Sequence, residues 1–130
     1  MLFKLDKPIM PTNDKTYTLE ELKKIKQQFV DERNWNQFHT PNHLAAKIAI
    51  EAGELLEKFV WLTSEQSFAE LATNRQEIED EFADIFMLLL CFANATKIDM
   101  TATMMTKLEK VKAKYPIDKA KGVATKYTKL

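Results

Sequence analysis

Apolar residues recur along this chain at helical spacing, in blocks separated by short polar stretches. Thr18-Leu19-Glu20-Glu21 is a capping-box signature, and Leu22, Ile25, Phe29 and Val30 then repeat on one face, predicting a first helix that runs to Asn34. Thr40 followed by Pro41 reads as an N-cap with proline at the first helical position. Leu44, Ile48, Ala52, Leu55, Leu56 and Phe59 supply the stripe of a second helix, predicted to reach about Trp61. Thr63 to Ser67 reads as a polar connection with a short helical turn over Phe68 to Leu71. A third helix from Asn74 to Lys97 carries Ile78, Phe82, Ile85, Phe86, Leu89 and Ala93. Asp99 or Thr101 can cap a fourth, which stops at Pro116 because proline cannot continue the ladder. The flanks lack this periodicity. Pro8, Pro11 and Asn13-Asp14 interrupt residues 1–17, an irregular arm, and the tail 117–130 reads as extended. The expectation is an all-α chain, a four-helix bundle over residues 18–116 that also packs on a second copy.

Composition narrows the chemistry. A length of 130 residues suits one domain, and 19 basic residues balance 19 acidic ones, so nothing draws the whole molecule to a nucleic-acid polymer or an anionic membrane. The lone cysteine, Cys91, lies in the apolar run Phe86 to Phe92, which predicts a buried, unreactive thiol and excludes a disulfide scaffold. With no long apolar span and no signal-like N-terminus, the expected location is cytoplasmic. Gly53 and Gly122 are the only glycines, too few for a Gly-rich phosphate loop. Phosphate chemistry here must come from side chains and metal.

The acidic residues supply a candidate. Glu51 and Glu54 are three apart on the second helix, Glu81 and Asp84 three apart on the third, and Glu77 lies one turn earlier. If these helices pack antiparallel, the four carboxylates converge, and like charges about 4 Å apart cost about 4 kcal/mol at an effective dielectric of about 20. A cation makes that arrangement sensible. Oxygen donors without cysteine or histidine select Mg²⁺, with Mn²⁺ as substitute, and the implied chemistry is metal-assisted hydrolysis of a phosphoanhydride. Glu54 or Glu57, if not fully used as ligand, could orient or deprotonate the attacking water. Gly53 between the acids suggests close packing or room for a ligand, since glycine in mid-helix costs about 1 kcal/mol relative to alanine. The competing reading is a solvated helix face, with Lys47 and Lys58 as nearby counter-charges.

With these residues in view the chain resembles the MazG-type all-α nucleotide pyrophosphohydrolases, whose motif is Glu-x-x-Glu on one helix and Glu-x-x-Asp on the next. It is most similar to their dCTP pyrophosphatase branch, through Glu32-Arg33-Asn34-Trp35-Asn36-Gln37-Phe38-His39-Thr40-Pro41, Glu51-Ala52-Gly53-Glu54-Leu55 with Phe59 and Trp61, Lys114-Tyr115-Pro116 and Lys126-Tyr127-Thr128. The resemblance covers roughly residues 18 to 128. It implies hydrolysis of a nucleoside triphosphate to monophosphate and pyrophosphate, Mg²⁺ held by Glu51, Glu54, Glu81 and Asp84, catalysis through Glu51 and Glu54, and a dimer-of-dimers assembly. It further implies that Trp35, Phe38 and His39 contact the nucleoside, with Trp61 a further candidate, and that Lys107, Lys114, Tyr115 and Lys126 contribute to substrate binding. Base stacking on an aromatic ring is worth about 1–3 kcal/mol, which gives the first group a physical role. The chain departs from the family's Lys-x-x-x-Asn-x-x-Arg-Tyr-Pro pattern: Val111 stands where the asparagine would, and Lys114 where the arginine would.

Two readings from other classes remain. A non-catalytic helical oligomerisation module would use the same apolar faces and would tolerate neutralised acids. A ferritin-like di-iron protein needs Glu-x-x-His pairs, and His39 and His43 both precede the acids. The base, the phosphorus attacked and the number of ions stay open.

Overall fold

A computed structural model describes residues 11–130. Among them are six α helices, α1 (Leu19–Glu32), α2 (Pro41–Glu57), α3 (Ser64–Thr73), α4 (Arg75–Thr96), α5 (Met100–Lys114) and α6 (Ile117–Ala120), two 3-10 turns and no strand. The all-α class expected from the periodicity is therefore what the chain adopts. The described residues divide into two compact units, one ending at Lys97 and the other spanning Ile98–Leu130. Most of the arm expected over residues 1–17 lies outside the described residues; Asn13 to Thr16 form a turn.

In the first unit α4 is the hub, with α2 and α1 packed along it and α3 leaning on its start. The elements begin where their caps demand. Thr18 Oγ1 accepts from the Glu21 amide at 3.2 Å and the Glu21 carboxylate accepts from the Thr18 amide at 2.7 Å. Pro41 opens α2 as predicted, while the Thr40 hydroxyl donates to Asn42 Oδ1 at 2.7 Å instead of capping the helix. The core is small: Val30 from α1, Leu44 from α2 and Cys91 from α4 meet, with Leu88 and Phe92 against them. Asn94 Nδ2 donates to the Lys23 carbonyl at 2.9 Å, tying α4 to α1.

Three expectations are corrected. The stretch read as a polar connection is a full ten-residue helix, α3, started by a second capping box in which Thr63 and Gln66 exchange hydrogen bonds of 2.9 and 3.2 Å. Helix α2 stops at Glu57, short of Trp61, and residues 58–62 turn toward α3. The tail is not simply extended: Pro116 starts α6, Gly122 sits at φ 76°, and a 3-10 turn spans Tyr127–Lys129. In this second unit Asp99 caps α5, its carboxylate accepting from the Ala102 amide at 2.8 Å. The Tyr127 ring stands edge-on to Tyr115 at 5.9 Å with Lys114 Nζ 4.7 Å from its centre, so aromatic packing gathers the tail onto the end of α5.

Candidate metal and nucleotide site

Packing of α2 against α4 decides whether the two acidic pairs meet, and it brings them together. Glu51, Glu81 and Asp84 each offer a carboxylate oxygen within 4.8 Å of the others, all three half-buried. Glu54 lies outside that set but within hydrogen-bond reach of both Glu51 and Glu81. Without a cation, carboxylates this close repel one another. Partial burial, then the Glu54 charge, pushes both Glu51 and Glu81 above the usual glutamate value. A hard divalent cation relieves that frustration, and an all-oxygen donor set fits Mg²⁺ or Mn²⁺ better than zinc.

Glu77, one turn before Glu81, is used differently. It accepts from Lys58 Nζ at 2.8 Å, which lowers its pKa and raises that of the lysine. The pair links the end of α2 to the start of α4, so it serves the α2–α4 register, and Glu77 is not part of the acid cluster.

A cleft of about 450 Å³ is lined by Trp35, Phe38, His39, His43, Ala46 and Lys47, the last of these one turn before Glu51 on α2. The turn carrying its aromatic residues is held by polar groups. Asn36 Nδ2 donates to Asp31 Oδ1 at 2.6 Å, and Gln27 Nε2 donates to both Asn36 Oδ1 and Asp31 Oδ1 at 2.9 and 2.8 Å. These bonds hold the Asp31 carboxyl below its usual range, Asn36 contributing most. Trp35 stacks edge-on against Phe29 at 5.7 Å, while Arg33 Cζ lies 3.7 Å and Lys26 Nζ 4.2 Å from the Phe29 ring centre. The aromatic ledge is thus preorganised. Burial, then the charges of Lys47 and Lys26, lowers the His39 pKa, so the imidazole is neutral near pH 7.

The remaining expected residues fall elsewhere. Trp61 is 91% exposed and is not part of the cleft lining. In the second unit Lys107 lines a shallow groove with Thr103, Thr106 and Lys110, and Val111 is at the surface of the same helix. Lys114 and Tyr115 gather around Tyr127, beside Lys126 in the chain. Gly53 is not closely packed: a Cβ there would meet nothing within 4 Å. Sequence reasoning missed His43 and Lys47. The available signal was the unbroken spacing of four from His39 through His43 and Lys47 to Glu51, which keeps them on one side of the chain as it enters and climbs α2.

A profile of the MazG-like family matches residues 46–130, well over half of the chain and inclusive of all four acids. The chain belongs to the MazG-like family. Relatives named dCTP pyrophosphatase 1 are 31% identical in Bos taurus and 30% in Homo sapiens, each over 115 residues that make up 87% of this chain and 68% of the relative. The crystal structure of a pyrophosphatase from Archaeoglobus fulgidus superposes with a TM-score of 0.74 at 39% identity, covering 77% of this chain and 94% of that one. The acid pairs quoted above therefore sit in a fold shared with a protein titled a pyrophosphatase.

Proposed function

We propose that this chain hydrolyses a deoxynucleoside triphosphate, dCTP or a modified deoxynucleotide, to the nucleoside monophosphate and pyrophosphate, as a step of nucleotide-pool house-cleaning. The broader class is secure: membership of the MazG-like family, relatives named dCTP pyrophosphatase 1 and a pyrophosphatase neighbour at 39% identity make it a nucleoside triphosphate pyrophosphohydrolase. The observation that carries the finer reading is the pairing of a three-carboxylate cluster with an aromatic cleft one turn away along α2.

Glu51, Glu81 and Asp84 would hold the divalent ion, Mg²⁺ with Mn²⁺ as substitute, and Glu54 would complete or support the set. When bound, the ion supplies counter-charge to the phosphates and acidifies a water. Glu54, poised between Glu51 and Glu81, accepts the proton of the attacking water. Trp35 and Phe38 stack the base, and the neutral His39 hydrogen-bonds a base edge or a phosphate. Lys107, Lys114, Tyr115 and Lys126, all of the second unit, are further candidates for substrate binding.

Large apolar side chains stand exposed on several helices, among them Ile50 and Leu56 of α2, Phe68 of α3 and Phe82 of α4. Such patches support a homo-oligomer, a dimer or dimer of dimers. Among the described residues no single helix is long and apolar enough to cross a membrane. A cytoplasmic setting agrees with a single cysteine kept as a buried thiol.

Product analysis tests the proposal. Canonical and modified deoxynucleoside triphosphates are incubated with the protein and Mg²⁺, and the products are separated by ion exchange. Monophosphate with pyrophosphate, fastest from a cytosine nucleotide or a modified one, is the expected result. Diphosphate with orthophosphate, or no turnover of any triphosphate, would contradict it.

A further inference from the structure

His43, Lys47 and Glu51 lie four residues apart on α2, so they share one face at steps of roughly one helical turn, about 6 Å of rise each. The first two line the cleft with Trp35, Phe38 and His39, and the third belongs to the carboxylate cluster. Helix α2 therefore acts as a ruler from an aromatic end, past an ammonium, to an acidic end. The cleft lining contains no acidic residue. Lys47 is exposed and, among the described residues, makes no ion pair within 4.0 Å, although Glu51 is one turn away and an i,i+4 pair was open to it. Its ammonium is thus uncommitted, and it has Glu51 on one side and the aromatic ledge on the other. Its field already reaches the neighbouring histidine, helping to keep His39 neutral.

Resting on the nucleotide reading above, we infer that Lys47 binds the phosphoryl group next to the nucleoside, the one that stays on the monophosphate product. A nucleotide laid along this face puts its base on Trp35 and Phe38, its α-phosphate beside Lys47, and its outer phosphates toward Glu51, Glu81 and Asp84. The ammonium provides the charge-assisted hydrogen bond that the carboxylates cannot give an anion. Lys47 consequently distinguishes a nucleotide from a nucleoside without any metal, and it holds the product after pyrophosphate leaves.

The test is calorimetric binding in EDTA, with the full chain titrated by the four deoxynucleosides and by their 5′-monophosphates, for the native protein, Lys47→Met and Lys47→Arg. The native chain is expected to bind at least one monophosphate more tightly than its nucleoside. Lys47→Met should lower monophosphate affinity roughly tenfold or more while leaving the nucleoside affinity unchanged, and Lys47→Arg should restore most of the loss. Equal losses for nucleoside and monophosphate would overturn the inference by placing the ammonium on the base, and so would no loss for either. A native chain that binds neither ligand overturns it too. Pyrophosphate release by that same native chain would show that hydrolysis stands without this contact, so the two failures are distinguishable.

Discussion

Replacing Gly53 with alanine separates the two reasons a glycine could sit between the acids Glu51 and Glu54. On an α helix each residue advances about 100°, so Gly53 lies roughly 130° around α2 from the midpoint of Glu51 and Glu54. A Cβ at this position would meet no heavy atom within 4 Å. The added methyl group therefore clashes with nothing and points away from the carboxylates. What remains is the helix propensity difference, which favours alanine by about 0.5–1 kcal/mol, mainly through the unfolded chain. For a chain of this size that corresponds to a rise of roughly 2–5 °C in the melting midpoint. Thermal unfolding of the metal-free native protein and Gly53→Ala, followed by circular dichroism, reads the first half; kcat and KM for the preferred triphosphate read the second. The expected result is a higher midpoint with unchanged turnover. A lower midpoint, or turnover lost from a folded variant, would refute the reasoning and show that substrate or a second copy approaches this face closely.

Other outcomes follow from the same geometry. Glu51 and Glu81 are held above the usual glutamate value of 4.5, so the folded metal-free chain keeps protons that the unfolded chain gives up. Their contribution to stability falls as pH rises through that region, and Mg²⁺ should raise the melting midpoint more at about pH 7.5 than at about pH 5; an equal rise would contradict the cluster as a cation site. Leu44 is fully buried between α1 and α4, so Leu44→Ala should cost about 2–5 kcal/mol in urea unfolding, and a cost below about 1 kcal/mol would show that the core is misassigned. Asn36→Ala removes the bridge among Gln27, Asp31 and the aromatic turn, and should weaken nucleotide binding several-fold while changing the melting midpoint little. Affinity unchanged in that variant would mean that the ledge orders itself without those bonds.

Much of this arrangement was legible in the residues because local rules wrote it. The capping box at Thr18, the proline at the first position of α2 and the stop before Pro116 depend on a few neighbours each, and they hold in the structure. Helix α3 carries an equally plain capping box at Thr63. Its apolar positions are sparse, however, and Phe68 is 74% exposed, so no buried stripe announces the helix. The overlong reading of α2 has the opposite cause: Phe59 and Trp61 continue the apolar pattern beyond Glu57, while the chain has already turned.

The acid pairs could be placed on their faces from spacing alone, but their meeting depends on the packing of α2 along α4, which no single segment encodes. Lys47 and Lys58 looked alike in sequence, as counter-charges on a solvated helix. The structure gives them different work. Lys58 closes on Glu77 across two helices, and Lys47 lines the cleft with no ion-pair partner among the described residues. Side-chain commitments of this kind come from tertiary neighbours, and periodicity does not record them.

The central claim, that these converging carboxylates hold a metal for pyrophosphate release, is tested most directly by single-turnover pyrophosphate release from the preferred triphosphate. The native protein is compared with Glu51→Gln, each with Mg²⁺ and with EDTA. Release from the native protein only in the presence of Mg²⁺, with Glu51→Gln folded but at least about 100-fold slower, is the predicted result. Release that persists in EDTA, or a Glu51→Gln protein as fast as the native one, would contradict the account.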